Sequence, residues 1–169
     1  MIDEEYAKLL KQAELDYEDN KKFIMVLKKI RAKSLDREFN MLHDKAFEEI
    51  DCLKCGNCCR TVRPIYQQKD ITKLAKRFHC RPIVWEKEYT DVDEDNDRIA
   101  KTVPCPFIAE DNYCIYYEDK PKFCRDYPYT DKTRLRNYLR ETMENSKICP
   151  AVYLMINWLK ESVNRGTLS

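Results

Sequence analysis

The chain has 169 residues, enough for one domain with a core or for one domain plus a helical appendage. Its 31 lysines and arginines nearly cancel 30 aspartates and glutamates, so the basic footprint of a nucleic-acid or anionic-lipid binder is missing. No apolar run nears the roughly 20 residues that span a bilayer, which speaks against a membrane partner.

The start, Met1-Ile2-Asp3-Glu4-Glu5, is acidic and lacks the basic and apolar regions of a signal peptide; the expected compartment is the cytoplasm. Residues 1–50 contain neither proline nor glycine and read as helix throughout. Tyr6, Leu9, Leu10, Ala13 and Tyr17 make a first apolar face, and Asp19 or Asn20 is the expected cap of a second, longer helix. There Phe23, Leu27, Ile30, Leu35, Phe39, Leu42, Ala46 and Ile50 form a stripe. The expectation is a helical hairpin over 1–50 packed on a metal-centred domain over 51–169. The sharper alternative is a coiled-coil arm through which the N-terminal helices meet a protein partner.

The texture changes at Cys52, and every proline lies at Pro64 or later. Residues 70–78 read as a short amphipathic helix, and Pro82 suits the first turn of another running to Tyr89. Asp91 to Asp97 reads as a solvated loop or hairpin tip without the ligand spacing of an EF-hand. Asp111-Asn112 signals a turn in the Pro-, Tyr- and Cys-rich stretch that follows, and helices resume over 133–145 and 151–164. The fold class expected is mainly α with irregular cysteine-rich loops.

Nine cysteines dominate the chemistry, eight of them between Cys52 and Cys124 and the ninth at Cys149. In a reducing compartment such clustering favours metal ligands over disulfides, and an odd count forbids complete pairing. Cys52-x2-Cys55 has the bite of zinc knuckles and iron–sulfur loops, in which backbone N–H groups donate to the sulfurs. Gly56, one of two glycines, stands where a left-handed conformation aims those N–H groups. Cys52, Cys55 and Cys58 repeat the start of a bacterial ferredoxin loop, whose later ligand precedes a proline, as at Cys105-Pro106 and Cys149-Pro150. Neighbouring side chains diverge, so Cys58 and Cys59 are poorly placed to grip one ion together; two centres, or one larger than a single ion, fit better.

The order C-x2-C-x2-C-C, Cys105-Pro106-Phe107, Cys114-Ile115-Tyr116-Tyr117 and Pro121-Lys122-Phe123-Cys124-Arg125-Asp126-Tyr127-Pro128 resembles the YkgJ-type cysteine cluster family, a zinc- or iron-chelating domain. The resemblance covers about Cys52 to Pro150. It departs at Lys120-Pro121, where the family usually shows Arg-Pro, and lysine replaces a bidentate arginine poorly. It implies Cys52, Cys55, Cys58, Cys59, Cys105, Cys114, Cys124 and Cys149 as metal ligands, with zinc or an iron–sulfur cluster as cofactor. Cys80 matches no motif cysteine and reads as a packed small hydrophobe.

His43 reads as a surface residue, and His79 is a spare ligand candidate more simply read as structural. Tyr116, Tyr117, Tyr127 and Tyr129 read as aromatic cover beside the cysteines. Lys28, Lys29, Arg31 and Lys33 form a solvated helix face. No acid–base constellation or Gly-rich phosphate loop points to catalysis, so a metal-binding protein without chemistry of its own is the leading expectation. The family resemblance extends to flagellin lysine methylases, implying an iron–sulfur-dependent protein methyltransferase as one alternative. An electron-transfer protein is the other, suggested by the ferredoxin-like start.

Overall fold

Without proline or glycine to interrupt it, the chain before Gly56 is helical nearly from its start. The computed structural model describes residues 2–168. In chain order the elements are α1 (Glu4–Leu15), α2 (Tyr17–Leu27), α3 (Ala32–Glu49), α4 (Cys52–Cys55), α5 (Asn57–Thr61), α6 (Gln68–Arg77), α7 (Pro82–Tyr89), β1 (Thr90–Val92), β2 (Arg98–Ala100), α8 (Lys122–Asp126), α9 (Leu139–Ser146) and α10 (Pro150–Asn164). Short 3-10 turns add Tyr117–Asp119 and Leu135–Tyr138. The architecture is mainly α with little sheet. The chain divides into a central unit, Gly56–Tyr127, and a terminal unit joining Ile2–Cys55 to residues 128–168.

In the terminal unit three helices, rather than the expected hairpin of two, occupy the first fifty residues. The first break is at Asp16, whose carboxylate accepts hydrogen bonds from Gln12 Nε2 and from the Tyr153 hydroxyl at 2.7 Å. Asn20, expected as a cap, lies inside α2 and is fully buried. The stripe on α3 is consumed by the unit's own core. Leu35, Phe39, Leu42 and Ala46 share one buried cluster with Val152, Met155, Ile156 and Leu159 of α10, which leaves no apolar seam there for a coiled-coil arm. Asp36 accepts from the backbone N–H groups of Arg134 and Leu135, both at 2.9 Å. Those two bonds organise a 3-10 turn first, so α9 begins at Leu139 instead of near Thr133.

The central unit is built on a second, aromatic core. Amphipathic α6 buries Ile71, Leu74 and Ala75, and α7, opened by Pro82 at its first position, buries Trp85. Tyr66 and Tyr89 flank the Trp85 ring at 5.2 and 5.1 Å, and Phe107 and Tyr116 continue the cluster, with Cys80 and Cys105 packed against it. β1 and β2 form a hairpin in register Thr90↔Ala100, and the acidic segment between them is its tip. There Asp93 accepts from the N–H groups of Asp95 and Asp97. Among the described residues no helix is long and apolar enough to cross a membrane.

Phe39 has no solvent exposure, so Phe39→Ala should lower unfolding free energy by about 3–5 kcal/mol in denaturant titration. Met41→Ala on the same helix, 56% exposed, should stay within about 0.5 kcal/mol. Equal effects from the two substitutions would contradict the assignment of the buried face.

Candidate metal centre

None of the nine cysteines is bonded to another through a disulfide. The eight candidate ligands separate by unit: Cys58, Cys59, Cys105, Cys114 and Cys124 in the central one, Cys52, Cys55 and Cys149 in the terminal one.

In the central unit, Gly56 has φ +59° and stands as the N-cap of α5, the left-handed position anticipated for it. Its lack of a side chain has a second use. A Cβ at Gly56 would lie 2.5 Å from Asn112 Oδ1, so the glycine opens the space that Asn112 fills. Asn112 is itself left-handed, φ +66°, in the turn signalled by Asp111-Asn112, and its Oδ1 accepts from Arg60 Nη2 at 2.6 Å. The turn is closed by Ala109 N–H to Tyr113 O and by the Ile108↔Cys114 bridge. Cys105 is tied to α5 directly, its N–H donating to Cys59 O at 2.8 Å. Cys124 rides on α8. The start of that helix is fixed by the buried Asp70 carboxylate, which accepts from Lys122 N–H and also from Gln67 N–H at the head of α6.

These contacts bring Cys59, Cys105, Cys114 and Cys124 from four separate segments into electrostatic range of one another. Burial pushes the Cys124 thiol up to about 12, and the neighbouring Cys59, Cys105 and Cys114 sulfurs add to the rise. Burial likewise lifts Cys105 to about 11, helped by Cys59 and Cys114 and offset by the Phe107 N–H that donates to its sulfur. Cys114 is raised by burial and by Cys59, against a Tyr116 N–H that donates to its sulfur. Cys59 goes the other way. A hydrogen bond from Cys58 lowers it to about 7 against its burial, with Lys120 and Arg60 adding positive charge. The i+2 amides of Phe107 and Tyr116 are the kind of backbone donor that thiolate metal loops use.

In the terminal unit Cys52 and Cys55 occupy the two ends of the single turn α4, a three-residue separation that puts both on one helical face. Asp51 starts that turn by accepting from Leu53 N–H at 2.8 Å, and its own N–H donates to the Tyr6 hydroxyl. Cys149 precedes α10, and burial pushes its thiol up to about 12. The Val152 and Ala151 N–H groups oppose that rise, while Cys52 and Cys55 contribute to it. Among the described residues no three His, Cys, Asp or Glu donors are already gathered tightly enough to grip one ion. The expected metal-centred cluster is therefore not formed among the described residues; the sulfurs act on one another electrostatically, and thiolate is a donor whose softness suits zinc or iron.

The other residues singled out in the sequence fall outside these groups. Cys80 packs on the aromatic core as a small hydrophobe. His79 is exposed at the C-terminal turn of α6 with φ +53°. His43 is half-buried rather than on the surface: its Nδ1 pairs with Thr130 Oγ1 at 2.8 Å and its ring packs on Phe47. The tyrosines do not make one cluster. Tyr116 belongs to the aromatic core, Tyr127 stacks on Phe123, and Tyr117 stacks on Tyr113 at the surface beneath Lys120 Nζ. Arg60 and Asp70 were not legible as site residues. Arg60 had the signal of directly following Cys59, and Asp70 that of standing three residues after Gln67, the spacing of a capping box.

A family model, CxxCxxCC, described as "Putative zinc- or iron-chelating domain", matches residues 51–150. No curated protein and no solved structure matches the chain.

Gly56→Ala should be poorly tolerated, since the left-handed backbone costs a side chain about 1–2 kcal/mol before the collision with Asn112 is counted. Thermal unfolding measures it; an unchanged midpoint would contradict the packing. In metal-free protein at pH 7.5, mass mapping after brief alkylation should find Cys59 modified well before Cys105, Cys114 or Cys124. The pH dependence of metal-free stability has a definite sign. Cys105, Cys124 and Cys149 keep their protons until pH 11–12, whereas unfolded thiols lose them near the ordinary 9.0, so stability falls from pH 9 to 11. Cys59 contributes oppositely, adding stability between pH 7 and 9. A denaturation midpoint that rises from pH 9 to 11 would contradict these burials.

Proposed function

Because the chain belongs to the CxxCxxCC family, we propose that it is a metal-binding protein that holds zinc or an iron–sulfur centre through grouped cysteine thiolates. The observation that carries this reading is the mutual influence of Cys59, Cys105, Cys114 and Cys124, four sulfurs delivered by four separate segments of the central unit. Four thiolates are the full complement of a tetrahedral zinc site or of a cubane cluster. Cys52, Cys55 and Cys149 form a second donor group in the terminal unit, with Cys55 and Cys149 set in its apolar core.

A bound zinc or iron centre supplies the positive charge that lets buried sulfurs ionise. The chain's own residues do the rest. Cys59, already the most acidic of the four, is the first to offer a thiolate near neutral pH. Cys105, Cys114 and Cys124 give up their protons only as a cation replaces them, so uptake releases protons and weakens as pH falls. The Phe107 and Tyr116 amides orient two of the sulfurs, and the aromatic core shields Cys105 from water. Cys58 completes the eight candidates, its thiol donating a hydrogen bond that tunes Cys59.

Anaerobic purification followed by elemental analysis and an absorption spectrum tests the reading. Stoichiometric zinc in colourless protein, or iron and sulfide in brown protein, supports it; protein that is folded, metal-free and unable to take up either refutes it. Cys124→Ser should remove a ligand and lower the bound metal per chain, whereas Cys80→Ser should leave the content unchanged. Metal uptake in weak buffer should acidify the solution, and affinity should rise from pH 6 to 8.

A further inference from the structure

A centre made of four thiolates and a divalent ion carries two surplus negative charges. Burying them requires compensating charge close by and hydrogen-bond donors aimed at the sulfurs. Two cations of the central unit, Arg60 and Lys120, act electrostatically on Cys59. Arg60 follows Cys59 on α5. Its Nη2 is committed to Asn112 Oδ1, at 2.6 Å, and Asn112 is wedged into the room that Gly56 leaves open. With the guanidinium plane so anchored, its Nε is left buried with no hydrogen-bond partner. A buried donor left unmade costs on the order of 1–3 kcal/mol, so such an atom calls for an acceptor. Lys120 is the second cation: its Nζ stands 3.6 Å over the Tyr117 ring, and its carbonyl accepts a bond from Arg125, which fixes the backbone beneath it.

We propose that Arg60 is a positioning residue of the thiolate centre, its anchored guanidinium turning the orphaned Nε–H toward a metal-bound sulfur of the central unit, with Lys120 supplying the second compensating charge. The inference rests on the metal-binding reading above and adds the reason for the Gly56–Asn112–Arg60 chain of contacts. The glycine makes room for Asn112, Asn112 fixes the guanidinium, and the guanidinium serves the sulfurs. It also accounts for a lysine at position 120: a point charge is enough where Arg60 already provides the planar donor.

The test compares wild type, Arg60→Gln, Arg60→Lys and Lys120→Gln by zinc competition against a chromophoric chelator and by the sulfur-to-cobalt charge-transfer band of cobalt-loaded protein. Arg60→Gln should weaken zinc binding by about 10–100-fold and shift the band to longer wavelength. Arg60→Lys, which keeps the charge but not the anchored N–H, should fall between Arg60→Gln and wild type. Lys120→Gln should weaken binding with little movement of the band, because it removes charge and no donor to sulfur. In a Cys124→Ser background Arg60→Gln should cost less than in wild type. If Arg60 only held the Asn112 turn together, its substitution would lower metal-free stability and leave the affinity and the band where they are; that result overturns the proposal. Should Arg60→Gln fail to fold, Arg60→Lys decides, with wild-type affinity and spectrum counting against. Wild type that takes up neither zinc nor cobalt would instead sink the metal-binding reading itself.

Discussion

Several thiols buried side by side cannot all ionise in a low-dielectric environment unless a cation joins them, and that constraint bears on Cys59, Cys105, Cys114 and Cys124 of the central unit. Each sulfur lies where burial and its neighbours resist ionisation, and only Cys59 is pulled the other way by Cys58, Lys120 and Arg60. What keeps the sulfurs near one another is not mutual attraction but the framework behind them. Asp70 fixes the start of α8, the Cys105 amide binds Cys59 O, and Asn112 fits against Gly56.

The two units handle their thiols differently because their cores differ. The terminal unit is an aliphatic helical core in which Cys55 and Cys149 are embedded, with Cys52 and Cys55 presented by one helical turn. The central unit has short helices, irregular loops and an aromatic core that packs against Cys105. Aromatic side chains cover much area per residue, which suits a segment with few long helices to bury.

The α7 helix was legible because Pro82 at a first helical position and the apolar Trp85 are local signals; the acidic run expected as a loop or hairpin tip over Asp91–Asp97 is equally local, though Asp91 and Val92 belong to β1 and the tip spans 93–97. The breaks near Asp16 and before Leu139 were not. Both depend on bonds from far along the chain, Tyr153 to Asp16 and the Arg134 and Leu135 amides to Asp36, which no local periodicity records. At the candidate centre, spacing marked Cys52, Cys55, Cys58 and Cys59 as candidate donors but could not say which sulfurs keep company. That partition is a property of the tertiary fold, which groups Cys59 with Cys105, Cys114 and Cys124 and sets Cys149 with Cys52 and Cys55. The Asp111-Asn112 turn was legible, but its bond to Arg60 and the bond from Lys122 to Asp70 are long-range contacts that the sequence does not record.

On the proposed reading, sulfurs alone surround the metal. X-ray absorption at the metal edge of anaerobically purified protein measures this directly. The expected result is a first shell of sulfur, four neighbours at about 2.3 Å for zinc. A shell dominated by nitrogen or oxygen would contradict it.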